Sequence, residues 1–282
     1  MPIRTDLALE CVTINDVPEN VNMTVRGSIF RITEIIFNDD SHRDTLGKGK
    51  GRYLTLEHSS LSRYTDDHSA MVQELADELK AFIPDGDVLV AGLGNPDITP
   101  DALGPQTAAK VLATRHLQYD MNSHDEPFLR SLRPVTAVAG GVTGQTGIET
   151  AEFIRALADE IKPSAIVAID SLACSDLSRL GTTIQITDTG ISPGSGVANA
   201  RKEISAVTMG VPVIAVGVPT VVDVHTIVQS LTGRDAEANM PNMMVTPRDI
   251  DRLTERTSQL IAFGLNLALQ KNMSFEDVRG IF

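Results

Sequence analysis

The sequence predicts an α/β protein: a mainly parallel, mixed sheet flanked by helices, with β structure added at its N-terminal end. Three observations carry this. Short apolar runs at Asp87–Gly92, Val135–Ala139, Ala165–Ile169 and Val211–Val218 lack polar alternation, as strands covered on both faces do. Helical stretches lie between and around them, at Ala102–Leu117, Gly147–Ile161 and Gly196–Met209, the order expected of crossover helices on a parallel sheet. The chain of 282 residues has no internal repeat, low-complexity tract or linker, so one domain is expected over 1–282.

The elements follow in order. Thr24–Thr33 shows partial alternation and reads as a strand, as does Gly51–Glu57, with a polar loop over Asn38–Lys50 between them. Asp66-Asp67 offers an N-cap to a helix whose Met71, Val72, Leu75, Leu79 and Phe82 share one face. The alternating Thr182–Thr187 reads as an edge or antiparallel strand. A polar loop spans Thr232–Asn242, and a last helix starts at Thr246-Pro247 and runs through Ile250, Leu253, Leu260, Ile261 and Leu265.

Composition excludes several functions. A formal net charge of −13 provides no phosphate-neutralising face, so a direct nucleic-acid partner is not expected. Two cysteines, Cys11 and Cys174, suit neither a disulfide framework nor a zinc site. No apolar stretch is long enough for a membrane span or forms a secretory signal core, so the expected compartment is the cytoplasm. Gly92-Leu93-Gly94 begins a dinucleotide fingerprint but has Asp97 where the third glycine belongs, and an acid there repels pyrophosphate.

Sites in open parallel sheets form at the carboxyl ends of strands. Three such ends carry acids: Asp101 beyond the strand ending at Ala91, Asp170 after Ile169, and Asp223 after Val218. Asp101 sits after Pro100, where a helix N-terminus stabilises an anion. Asp170 follows an apolar run, where burial perturbs a carboxyl. Two such carboxyls, one protonated and one ionised, activate water and protonate a leaving amine. Gly94 and Asn95, with Gly141 and Thr143 in the Gly/Thr loop, are candidates to line the site and hold an oxyanion. His116 reads as a structural residue near a helix C-terminus. Gly190-Ile191-Ser192-Pro193-Gly194, with Asp223 and His225 downstream, gives an alternative serine-hydrolase reading. A non-catalytic binding protein on the same fold is the second alternative.

At these residues the chain resembles the germination (spore) endopeptidases. The resemblance lies in Arg4-Thr5-Asp6-Leu7-Ala8, Gly47 to Tyr53, Gly92 to Asn95 with Thr99 to Pro105, Gly147 to Thr150, Ala168 to Ala173, Asp188 to Val197 and Val216 to Asp223. It implies an endopeptidase that degrades small acid-soluble spore proteins as germination begins, made as a self-processing precursor inside the spore, and a homotetramer. It implies a fold like that of hydrogenase maturation endopeptidases and a catalytic pair at Asp101 and Asp170. Those maturation enzymes bind a metal through carboxylates and a His; no His counterpart is found here, and the expectation is neither metal nor cofactor. Family substrates are cut after an acid and before an apolar residue, ahead of a Glu. Asp6-Leu7-Ala8-Leu9-Glu10 reproduces that arrangement, which makes Asp6–Leu7 the processing site and 1–6 the propeptide, on a mobile terminus. The segment between Val228 and Met244 is short for the family.

Overall fold

The central parallel strands of this chain are apolar on both faces because helices cover both faces of the sheet there. Along Val88–Gly92 (β4), Val88 and Val90 enter one core while Leu89 and Ala91 enter the other. Ala165–Cys174 (β6) alternates likewise, with Ala165, Val167 and Ile169 opposite Ile166 and Ala168. Alternation is present, but both faces are buried, so no polar period appears in the sequence.

The computed structural model describes residues 5–12, 17–59, 61–63, 65–118, 127–194, 201–233, 241 and 243–282. The further strands are Val21–Arg26 (β1), Arg31–Phe37 (β2), Gly51–Glu57 (β3), Val135–Ala139 (β5), Thr183–Thr187 (β7), Val213–Asp223 (β8) and Met244–Val245 (β9). The helices are Arg43–Leu46 (α1), His68–Lys80 (α2), Leu103–Ala108 (α3), Pro127–Ser131 (α4), Thr143–Thr146 (α5), Thr150–Ile161 (α6), Ala206–Met209 (α7), Val224–Thr232 (α8), Ile250–Leu269 (α9) and Phe275–Ile281 (α10). The sheet runs β1-β2-β3-β7-β8-β6-β4-β5, with β9 on β8. β5, β4, β6 and β8 are parallel, whereas β7, β3, β2 and β1 continue the sheet antiparallel. The predicted mixed α/β class is the fold observed.

One face carries α2 and α9, whose Leu75, Leu79, Ile261 and Leu265 are fully buried against the sheet. The other carries α6 through Ala151, Ile154 and Ala158. Fully burying each large side chain contributes roughly 1.5–3 kcal/mol, so these two layers hold the molecule together.

Several elements differ from the sequence reading. Thr24–Thr33 is not one strand but a hairpin: the chain turns at Gly27, whose φ of 109° suits glycine. β7 is antiparallel but not an edge, since β3 and β8 flank it; its outward-looking Thr residues are buried instead. The helix read over Ala102–Leu117 is broken. After α3 the Leu112 N–H donates to Asn266 Oδ1 and the Thr114 hydroxyl to the Arg133 carbonyl, so side-chain and loop partners replace the helical ladder. The helix read over Gly147–Ile161 starts only at Thr150 as α6, because Gly147, in the left-handed region, ends α5 instead. In Gly196–Met209 only α7 is helical among the described residues, because Ile204 pairs with Ile191 as a β-bridge; 195–200 lie outside them. The Thr246-Pro247 start moves to Ile250, since the Thr246 hydroxyl is spent on the Thr220 carbonyl at 2.9 Å. The polar Asn38–Lys50 loop contains α1, and α10 was not anticipated. Of the Thr232–Asn242 loop, 234–240 and 242 lie outside the described residues.

Candidate active site

β4 and β6 run in register until Gly92 meets Ile169, and there β4 leaves the sheet. β6 continues to Cys174 with only β8 beside it. The departure opens a cleft of about 390 Å³ directly over Asp170. Asp170 is thus not the terminal strand residue anticipated but the first residue of β6 beyond its neighbour's end.

The chain leaving β4 returns Asp101 to the same cleft. Gly94, at φ 105°, allows this turn, for a Cβ there would lie 2.1 Å from the Asp101 carbonyl oxygen. The Asn95 N–H donates to Asp101 Oδ2 at 2.8 Å. Asp101 closes a single 3-10 turn, Thr99–Asp101, ahead of α3 rather than standing within a longer helix. Further bonds hold that turn: the Thr220 hydroxyl of β8 donates to the Pro100 carbonyl at 2.7 Å, and Thr254 of α9 to that of Thr99 at 3.3 Å. Gly104 lets α3 sit on the strand ends, since a Cβ there would meet the Leu93 and Ile169 carbonyl oxygens at 2.3 and 2.4 Å. Asp101 is therefore anchored from β4, β8 and α9 together.

Electrostatics set the two carboxyls apart. Asp170 is 5% exposed. Burial, and then the charges of Asp101 and Asp6, push its carboxyl well above the ordinary range; the Ser171 N–H, donating at 2.9 Å, offsets only part. Burial also raises Asp101, with the Asn95 N–H pulling back. Ser171 Oγ is buried beside them with no hydrogen-bond partner, and the cleft is one place it can find one. Burial and neighbouring like charge keep Asp170 protonated to higher pH than an isolated carboxyl.

The described part of the chain from residue 5 enters this cleft rather than fraying. The Asp6 N–H donates to the Ala173 carbonyl at 3.0 Å, and Asp6 Oδ2 accepts the Ala173 N–H at 2.8 Å. Leu7 is fully buried with Leu172, Cys174 and Val222. Glu10 accepts from the Ser175 N–H, the Ser175 hydroxyl and the Asp176 N–H at 2.6–2.9 Å, near Arg179. The expectation of a mobile Asp6–Leu7 bond is corrected: the unpaired end of β6 needs backbone partners, and this segment supplies them.

A family model described as "Germination protease" matches residues 13–232. The chain belongs to the germination protease family. Curated germination proteases agree along the length: that of Clostridium tetani is 38% identical, covering 99% of this chain and 98% of its own. That of Clostridium acetobutylicum is 38% identical, covering 98% of each. That of Priestia megaterium is 33% identical, over 98% of this chain and 95% of its own. The alignments span 322, 323 and 356 positions, so these relatives carry residues that this chain of 282 lacks. The NiFe hydrogenase maturation protease HycI from Thermococcus kodakarensis KOD1 is similar at 18% identity and a TM-score of 0.38, over 67% of this chain and 98% of its own.

Within this germination protease fold the other candidates fall as follows. Gly94 and Thr143 line the cleft. The Asn95 N–H is occupied by Asp101, and Thr143 Oγ1 donates to Glu149 Oε1 at 3.2 Å. Gly141 lies in the turn before α5, at φ 72°. Ser192 lies in a turn after the Ile191–Ile204 bridge and faces an adjacent cleft of about 580 Å³. Asp223 caps α8, accepting the His225 N–H at 2.7 Å. His116 sits in a 3-10 turn, Arg115–Gln118. No group of three or more His, Cys, Asp or Glu among the described residues is placed to hold a metal ion. No helix among them is long and apolar enough to cross a membrane. Sequence reasoning missed Lys48 and Gln185, which meet at Asp6; their lining of a cleft depends on pairings between distant segments.

Proposed function

We propose that this chain is the endopeptidase its family name describes, acting on small acid-soluble spore proteins at germination through an Asp101–Asp170 pair. The observation that carries the reading is Asp170, raised by burial and then by Asp101, at the foot of a cleft that the backbone-paired Asp6 also lines. Asp170, more deeply buried, keeps its proton and delivers it to the leaving amine. Asp101 is the anion that takes a proton from water. Asp6 lines the cleft and pairs with Ala173 of β6, which supports self-processing between Asp6 and Leu7 in a precursor. The resemblance extends the reading to a homotetramer in the spore cytoplasm with no metal or cofactor.

Asp101→Asn and Asp170→Asn test it. Each is expected to lower the rate of spore-protein cleavage by about 10² to 10⁴ or more while the fold is kept. Near-normal turnover in either variant removes that residue from the mechanism, and an absence of cleavage by the unaltered chain removes the enzyme reading altogether.

A further inference from the structure

The carbonyl oxygen of Asp6 accepts two side-chain hydrogen bonds: from Lys48 Nζ at 2.8 Å and from Gln185 Nε2 at 2.9 Å. We infer that Lys48 and Gln185 form the oxyanion-stabilising pair of this protease and that Asp6–Leu7 is held in the register for attack. The inference rests on the peptidase reading above and names the residues that complete that site.

The geometry separates the two halves of the reaction. Among the described residues Asp6 and Leu172 alone line both clefts, the one holding Asp101 and Asp170 and the larger one holding Lys48 and Gln185. The Asp6 side chain, not its carbonyl, takes the Ala173 N–H. That substitution frees the carbonyl oxygen to point to the Lys48 side while the carboxyl pair works from the other. Gln185 brackets the bond, because its Oε1 also accepts the Ala8 N–H at 2.7 Å. One buried amide thus fixes the residues on both sides of Leu7, and the Glu10 clamp fixes the register downstream. An ammonium and an amide N–H aimed at one carbonyl oxygen are the donor set that stabilises the negative charge of a tetrahedral intermediate. Lys48 is half-buried, so water does not fully screen it.

The chemical step balances with water alone. The water oxygen bonds to the Asp6 carbonyl carbon as Asp101 takes its proton. The Asp6–Leu7 C–N bond then breaks as Asp170 gives a proton to the Leu7 nitrogen. The charge that passes through the carbonyl oxygen faces Lys48 and Gln185.

The test uses the full chain and two readouts. Intact mass follows conversion to a chain beginning at Leu7, and a synthetic peptide of residues 1–12 gives kcat and KM in trans. Lys48→Met and Gln185→Glu, which keeps the acceptor for Ala8 and loses the donor, are each expected to slow both reactions by about 10²–10³, chiefly in kcat. Lys48→Arg is expected to restore part of the rate. Hydrogen exchange at the amides of Leu7, Ala8 and Leu9 reports whether the segment stays docked. A rate loss explained by undocking alone, with normal kcat on the peptide, overturns the inference. So does a Lys48→Met chain that matches the parent in both reactions while Asp101→Asn is inert. If the parent cleaves spore protein but neither its own Asp6–Leu7 bond nor the peptide, the inference fails and the peptidase reading stands. If it cleaves nothing, both fail.

Discussion

Glu74 on α2 and Asp170 on β6 are both carboxylates that meet backbone N–H groups, yet the structure drives them in opposite directions. Glu74 accepts from the N–H groups of Ser28, Ile29 and Phe30 at 2.8–3.0 Å, where the β1–β2 hairpin turns over α2. Its burial pushes the carboxyl up, but the N–H groups of Phe30, Ser28 and Ile29 outweigh it and leave it lowered. Asp170 accepts one N–H, is more deeply buried and faces Asp101 and Asp6, so it is raised. A carboxylate surrounded by donors contributes to folding, while one surrounded by apolar walls and like charges costs stability. The first region holds the fold together. The second stores unfavourable electrostatics where the proposed chemistry would use them.

The comparison predicts where stability resides, and the largest effect belongs to the α2 side. Leu75 is fully buried and packs so closely on α9 that a Cβ at Gly264 would lie 3.0 Å from it. Leu75→Ala is expected to cost about 2–5 kcal/mol in urea unfolding. Peptide cleavage per folded molecule should be unchanged. A cost under about 1 kcal/mol would mean that this layer is not the stabilising one.

Glu74→Ala comes next. It strands the hairpin N–H groups, one of them that of the buried Phe30, and is expected to cost about 1–3 kcal/mol at neutral pH. Glu74 is lowered on folding, so its contribution is present above the ordinary carboxylate range and fades as pH falls through the lowered value. The stability difference between parent and variant should therefore shrink toward acid. A difference that stays constant with pH would assign the loss to packing.

Asp170→Asn should behave in the opposite sense. In acid the carboxyl is protonated in both the folded and unfolded chain, and the substitution changes little. As pH rises past the ordinary range the unfolded chain ionises first, so the parent loses stability until pH passes the raised folded value. The Asn variant escapes that loss and is expected to be more stable than the parent at neutral pH and inactive. Unfolding curves of both chains across pH check this. A variant less stable than the parent at neutral pH would mean that Asp170 is paired rather than strained.

How far the sequence revealed these two regions follows from the range of the contacts involved. That Asp101 and Asp170 share one cleft was legible because each lies beyond the end of an apolar run, and strand ends in parallel sheets gather in one crevice. The helix of Met71, Val72, Leu75 and Leu79 was legible from its own periodicity. What failed depends on partners far along the chain. β7 is the antiparallel strand its alternation allowed, but the edge alternative fails because β3, more than a hundred residues earlier in sequence, covers its other side. Asp6 reads as part of a loose terminus until Ala173 and Gln185 are placed beside it. Lys48, in a glycine-rich polar loop, carries no local sign that its Nζ ends on a carbonyl oxygen.

Ser192→Ala is expected to have the smallest effect, and it decides where the catalytic region ends. Ser192 stands in the pattern of a nucleophile elbow, which requires a strand turning sharply into a helix. Here Ile191 instead exchanges both backbone hydrogen bonds with Ile204, at 2.9 and 2.8 Å. The glycine before it is locked at φ 84°, where a Cβ would lie 2.2 Å from the Ile204 carbonyl oxygen. The acid of the would-be triad is also occupied, since Asp223 accepts the N–H groups of His225 and Thr226 as the cap of α8. The lining of the carboxyl cleft resumes only at Pro193. Ser192→Ala should therefore change stability and the barrier to cleavage by no more than about 0.5 kcal/mol each. Urea unfolding and kcat/KM on the 1–12 peptide measure the two. A loss of about 10² or more in kcat/KM with the fold intact would make Ser192 the nucleophile. Asp170 would then be a buried acid whose instability serves no reaction, and the contrast with Glu74 would have to be explained by folding alone.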